Sequence, residues 1–252
     1  MDPTTAVGLF LLAFAVGTYG SIIGAGGGFL MVSGLVLIFD LGGATAVGTS
    51  VLTTLVIQTT GAYTYTKKGL VDRPSSMWFA LGSVPVALLS AIFLADQIPE
   101  KAFELIIGVM LLVLAVFVVF LPSVDAPDGT TIGPHRRALT ASGGAIGILS
   151  GAFGVGAGLV TVPLLRSLQR LSAHRAAATT TLIGSLSGGA AAIGHTIAGN
   201  PRWNHLPFLL TGAVLGGRLG SLNAGRLSAR TVLLLLAGGL VGAGIPLIIS
   251  SL

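Results

Sequence analysis

Between residues 6 and 250 the sequence is a succession of apolar runs broken only by short polar stretches. A helix needs roughly 20 consecutive apolar residues to cross the hydrocarbon core of a bilayer. Helical segments are expected at 6–39, 44–66, 76–95, 102–121, 138–169, 174–197, 205–223 and 231–250. Charged side chains make up only 8% of the 252 residues, whereas an average soluble chain carries about 25%. So few charges cannot cover a surface that faces water. The bilayer must be the solvent for most of the outer face, and there the backbone has to satisfy its own hydrogen bonds. The expected fold class is an all-α polytopic membrane protein.

Several function classes fall away. The formal charge of +5 does not mark a nucleic-acid binder, because the cations stand singly or in pairs at the ends of apolar runs. Headgroups and the positive-inside rule account for that placement. There is no cysteine, so disulfides, thiolate metal sites and cysteine nucleophiles are excluded. The GxxxxGK[ST], HExxH and GxSxG patterns are absent, which removes an ATP-driven motor and the commonest membrane hydrolases. Asp40, Asp72, Asp96 and Glu100 all stand at segment ends, leaving no carboxylate deep in an apolar run. No enzyme activity, cofactor or metal is expected. Met1-Asp2-Pro3 lacks the basic start of a cleaved signal peptide, so the first run reads as a membrane segment.

The two halves of the chain align without a gap at an offset of 130 residues. Gly24, Gly26 and Gly28 fall on Gly154, Gly156 and Gly158, and Leu41, Ala46 and Thr49 fall on Leu171, Ala176 and Thr179. The expected organisation is a first transmembrane repeat at 1–121, a polar linker at 122–137 and a second repeat at 138–252. Each repeat has about four membrane segments, the first of them broken at its glycine cluster, giving eight to ten helical elements. Loop 67–73 carries Lys67, Lys68 and Arg73, while its counterpart 197–203 carries only Arg202. Loop 40–45 has no cation, while 170–175 has Arg170 and Arg175. Equivalent loops with opposite bias are what inverted repeats would give.

The glycine clusters are the first candidate site: Gly24, Gly26, Gly27 and Gly28, with Gly154, Gly156 and Gly158. A glycine costs about 1 kcal/mol relative to alanine inside a helix, so several together predict a break. A break at membrane depth must be buried in protein or face a watery cavity. A half-helix starting at Gly28 or Gly158 would turn its bare N–H groups and positive dipole end toward that cavity, which suits an anion. The run 24–28 has the glycine density of a dinucleotide fingerprint but lacks the strand and the βαβ context that reading needs. The second candidate is the hydroxyl set Thr49 and Ser50, matched by Thr179 and Thr180. Hydroxyls can donate to an oxyanion without fixing a full charge, although capping and helix–helix hydrogen bonding also use them. Gln58 and His195 lie within apolar segments, Arg218 is the most embedded cation, and Arg175 precedes the second hydroxyl pair. These four are candidate anion contacts or, for His195, a proton relay.

On these residues the chain resembles the TauE/SafE sulfite exporter family of small anion transporters. The resemblance is carried by the glycine run with Phe29-Leu30-Met31-Val32, by Ala46-Val47-Gly48-Thr49-Ser50, and by Lys68-Gly69-Leu70-Val71-Asp72-Arg73. The second half repeats it in 154–163 and in Ala176-Ala177-Ala178-Thr179-Thr180. Ser33 stands where the family often has proline. The resemblance implies a secondary transporter, an exporter, of a small inorganic or organic sulfur anion such as sulfite or an organosulfonate. The anion would be held between the repeats by the residues above, and access would alternate. A passive anion channel and a non-catalytic subunit of a larger membrane assembly are the alternatives. The cell membrane is the expected location, the lipid bilayer and the anion the expected partners, and a homodimer is compatible with the sequence.

Overall fold

The computed structural model describes residues 2–24, 26–120, 135–154, 158–224 and 229–251. Its helices are α1 (Pro3–Ile23), α2 (Gly28–Leu37), α3 (Gly43–Lys67), α4 (Arg73–Phe93), α5 (Glu100–Phe120), α6 (Arg136–Phe153), α7 (Gly158–Gln169), α8 (Ala173–Ala198), α9 (Leu206–Asn223) and α10 (Ala229–Ser251), with a short 3₁₀ turn at Ala95–Gln97. Among the described residues, Pro3–Ile23, Arg73–Gln97, Ala173–Ala198 and Leu234–Ser251 are long and apolar enough to cross a membrane. Local chemistry sets several ends. The Asp72 carboxylate accepts the Ser75 N–H at 3.2 Å and so caps α4. α3 stops at Gly69, whose φ of +68° lets the Leu70 N–H fold back onto the Tyr65 carbonyl at 3.1 Å. Most of the expected linker, up to residue 134, lies outside the described residues.

The expected segment 6–39 is two helices, and they form a hairpin instead of one interrupted rod. A Cβ built on Gly8 would lie 3.2 Å from Phe39, one on Gly34 2.7 Å from Leu12, and one on Gly27 2.6 Å from Val16. Partners descend in α2 as they rise in α1, so the two helices are antiparallel. Gly24, Gly26 and Gly27 make the reversal with φ of 74°, 70° and 74°, a region that costs other residues roughly 1–2 kcal/mol each. Hydropathy cannot signal this turn, because its own residues and its neighbours are all apolar. The expected segment 138–169 divides likewise into α6 and α7, with Gly154 at φ 61° ending α6; residues 155–157 lie outside the described set.

Glycine also sets how the helices pack. Gly17 of α1 faces Ala213 and Gly217 of α9, and Gly220 faces Thr18 and Ser21, so α1 and α9 run parallel. Gly143 and Gly151 of α6 face Phe79 and Ala87 of α4, again in parallel. Two other pairs are antiparallel. Gly61 faces Thr181, Gly184 faces Gln58 and Gly189 faces Leu55, so α3 crosses α8 head to tail. Gly108 faces Gly244 and Ile248, while Ser250 donates to Glu104 at 3.0 Å, so α5 and α10 also run head to tail. Small residues let backbones come this close. Leu9, Phe29, Ile57, Ile107, Leu209 and Leu240 fill the main core between them.

This packing sorts the charges. Lys67, Lys68, Arg73, Arg136, Arg137, Arg170, Arg175, Arg218 and Arg230 gather at the end where α3 and α9 finish and α4, α6, α8 and α10 begin. The opposite end holds Asp2, Asp40, Asp96, Glu100 and Glu104, with Lys101 and Arg202. One face is strongly cationic and the other is net acidic.

Candidate functional site

The α3–α8 crossing lies between the two glycine turns. Gly24 packs on α8: a Cβ there would lie 2.5 Å from the Ala177 Cα. Gly154 packs on α3, where a Cβ would lie 2.9 Å from Val47 and 3.2 Å from Val51. Gly26 sits on the Gln58 side chain, with a built Cβ 2.6 Å from the carboxamide carbon. Gly184 of α8 closes on the same carboxamide from the other side. Gln58 is therefore held between the first turn and α8, in a slot that only glycines leave open. Gly27 and Gly28 begin α2 and are buried, and Gly158 begins α7 and is buried. Gly156 lies outside the described residues.

The crossing is rich in buried hydroxyls, but most of them are already used. Thr53 and Thr54 donate to the carbonyls of Thr49 and Ser50, each at 2.9 Å. Thr181 donates to Ala178 at 2.7 Å and Ser187 to Ile183 at 2.9 Å. Such back-bonding satisfies a hydroxyl within its own helix. Ser50 donates to the Gly28 carbonyl at 3.3 Å, which ties α3 to the start of α2. Thr49 accepts the Arg202 N–H and Thr179 accepts the Asp72 N–H, each at 2.9 Å. These two threonines stand near opposite ends of the bundle and hold loops in place. The buried polar atoms left without a partner at the crossing are the Gln58 Oε1 and the Thr180 Oγ1. A buried polar group without a partner costs about 1–3 kcal/mol, so these two are the groups there with most to gain from a ligand.

The remaining candidates sit elsewhere. His195 is spent on structure: its Nε2–H donates to the Gly151 carbonyl at 2.7 Å, and its Nδ1 accepts from Asn200 at 3.1 Å. Arg218 is exposed in an open groove of about 630 Å³ with Tyr63, Thr64 and Lys67, away from both glycine turns. Arg175 lines a separate cavity of about 370 Å³ on the cationic face, together with Lys68 and His174. Sequence reasoning missed Lys68 as a partner of Arg175, since 107 residues separate them. It also passed over Arg166, which is buried on α7; an arginine inside an apolar segment was the available signal.

Residues 9–247 match the family described as Sulfite exporter TauE/SafE. The chain belongs to this family. Relatives include "Probable membrane transporter protein YunE" of Bacillus subtilis, 26% identical over 95% of this chain and 96% of that protein. "Probable membrane transporter protein y4hK" of Sinorhizobium fredii is 27% identical over 97% and 99%. A third, "Probable membrane transporter protein MJ0441" of Methanocaldococcus jannaschii, is 26% identical over 62% of this chain and 60% of that protein. No solved structure matches. Family membership and these relatives make the chain a multi-pass membrane transporter, and the family's description implies a small anion as its substrate.

Proposed function

We propose that the chain is a secondary transporter of the cell membrane that exports a small sulfur oxyanion or organosulfonate, sulfite foremost. The anion binds where two inverted repeats, 1–121 and 138–252 joined by the linker 122–137, meet at the α3–α8 crossing. The observation that carries this reading is reciprocity. Thr49 accepts from the backbone of residue 202 and Thr179 from that of residue 72, and each member of one pair lies 130 residues from its counterpart in the other. The same offset relates Gly24 against Ala177 to Gly154 against Val47. It relates Tyr65 donating to the Ser21 carbonyl at 2.8 Å to His195 donating to Gly151. It also relates the two non-glycine residues with positive φ, Asp40 and Arg170, both at 51°. A two-fold axis through the α3–α8 crossing accounts for all of these pairs. Equivalent helices run antiparallel there, and again at α5–α10, so the axis lies across the helices. For spanning helices that is the membrane plane, and the repeats are inverted.

Within this frame the bare N–H groups at the start of α2 and α7, the Gln58 carboxamide and the Thr180 hydroxyl receive the anion's oxygens. Fixing the anion with neutral dipoles keeps binding weak enough for release. One repeat then moves against the other to change the side of access. The cationic face is cytoplasmic by the positive-inside rule. An interior-negative potential favours export, at about 2.3 kcal/mol per charge per 100 mV.

Purified protein in liposomes should carry sulfite with a rate that saturates and responds to an imposed potential, and sulfate or a small sulfonate should compete. Flux that rises linearly with concentration, without competition, would make it a channel. Folded protein with no flux of any of these anions would overturn the transport reading.

A further inference from the structure

The cavity on the cationic face is unlike the crossing site. It holds about 370 Å³ and takes its walls from both halves of the chain: Ile22, Tyr65 and Lys68 from the first, Ser172, His174 and Arg175 from the second. Its cationic side chains converge from the end of α3 and the start of α8. Among the described residues none of Lys68, His174 and Arg175 forms an ion pair. Lys68 donates to the Ser221 carbonyl at 3.2 Å, which positions its ammonium and leaves donors over. Ala177 lies in the wall, and it is the residue against which Gly24 packs. The cavity therefore adjoins the first glycine turn.

We propose that this cavity is a second anion site, an access site where a small oxoanion from the cytoplasmic side binds before it moves to the crossing. Its role in transport rests on the function proposed above; its binding of an oxoanion does not. The positions 130 residues away from Lys68, His174 and Arg175 are Ala198, Ala44 and Thr45. The opposite half does without these charges, so the helix ends do not need them to pack. A pocket of one sign with low-dielectric walls concentrates counter-ions and speeds their arrival. The shared chemistry, an oxyanion, could come from a free anion or from a lipid headgroup. The separate open groove holding Lys67 and Arg218 on the outer side of α3 and α9 is the natural place for headgroups, while a cavity walled by both halves fits a free anion.

The test is calorimetric titration of sulfite into the whole protein in nanodiscs of neutral lipid, comparing wild type with Lys68→Gln/Arg175→Gln and with Arg175→Lys. The double variant should bind at least about ten-fold more weakly, and Arg175→Lys should stay within about three-fold of wild type. In liposomes the double variant should raise the KM for sulfite offered to the cationic face by a similar factor and leave kcat within about two-fold. Equal binding by wild type and the double variant would overturn the proposal. So would loss of sulfite binding when phosphatidylglycerol is added to the discs, since a headgroup would then be the occupant. Charge-dependent binding without any flux would uphold the cavity site and overturn the transport reading alone.

Discussion

Gly26→Ala is expected to reduce sulfite flux by at least about ten-fold, even though it adds a single carbon. Two costs coincide at this residue. Its φ of 70° is strained for any side chain, at roughly 1–2 kcal/mol. The new Cβ would also lie 2.6–2.7 Å from the Gln58 carboxamide, so that carboxamide has to leave the slot between the turn and α8. Gly69→Ala separates the two costs. Gly69 has nearly the same φ, 68°, but no described atom lies within 4 Å of its Cβ position. Gly69→Ala should keep flux within about two-fold of wild type at equal membrane levels. Flux assays on both variants, normalised to folded protein, decide the matter. Equal losses would mean that backbone strain explains both and that Gln58 has no part in transport.

The largest effect on stability is expected at Gly82 and Gly212. A Cβ on Gly82 would overlap the Thr140 carbonyl oxygen of α6, and one on Gly212 would overlap the Phe10 carbonyl oxygen of α1. In each case the obstacle is backbone, which cannot rotate aside as a side chain can. Relief requires the parallel pairs α4–α6 or α1–α9 to separate along the contact. Overpacking typically costs 1–3 kcal/mol, and two helices must shift here. Gly82→Val and Gly212→Val should therefore yield little or no monodisperse protein, and the alanine variants should unfold well below wild type in a thermal assay. Gly144→Ala is the contrasting case. Gly144 is also helical, no described atom lies within 4 Å of its Cβ position, and alanine gains up to about 1 kcal/mol of helix propensity. A normal melting curve for Gly82→Ala would show that α4 and α6 do not approach as closely as described.

Much of this architecture was legible because hydropathy and helix punctuation act locally. The expected segment 44–66 is Gly43–Lys67, 174–197 is Ala173–Ala198 and 231–250 is Ala229–Ser251. Pro74 inside the first turn of α4 and Asp72 before it mark that start, although the expected boundary fell three residues late. What failed was direction. The segment 6–39 gave the right cause, glycine, and the wrong shape, because a reversal and an interruption look alike in apolar sequence. Thr49 and Thr179 were visible as hydroxyls in apolar helices. Their partners are backbone N–H groups 153 and 107 residues away, which no local pattern reveals. Gln58 could be read as an interior polar residue, but only the packing shows that its carboxamide oxygen lacks a partner. The meeting of Lys68 with Arg175 is likewise a product of the α3–α8 crossing.

The account rests above all on the inversion of the two halves, and the sidedness of two equivalent residues measures it directly. Arg73 and Trp203 are both exposed and stand 130 residues apart at the beginnings of corresponding segments. The chain has no cysteine, so Arg73→Cys and Trp203→Cys each introduce a single thiol. A membrane-impermeant maleimide applied to intact cells and to inverted vesicles should label Arg73→Cys only from the cytoplasmic side and Trp203→Cys only from the outside. Labelling of both from the same side would contradict inverted repeats and the alternating-access reading built on them.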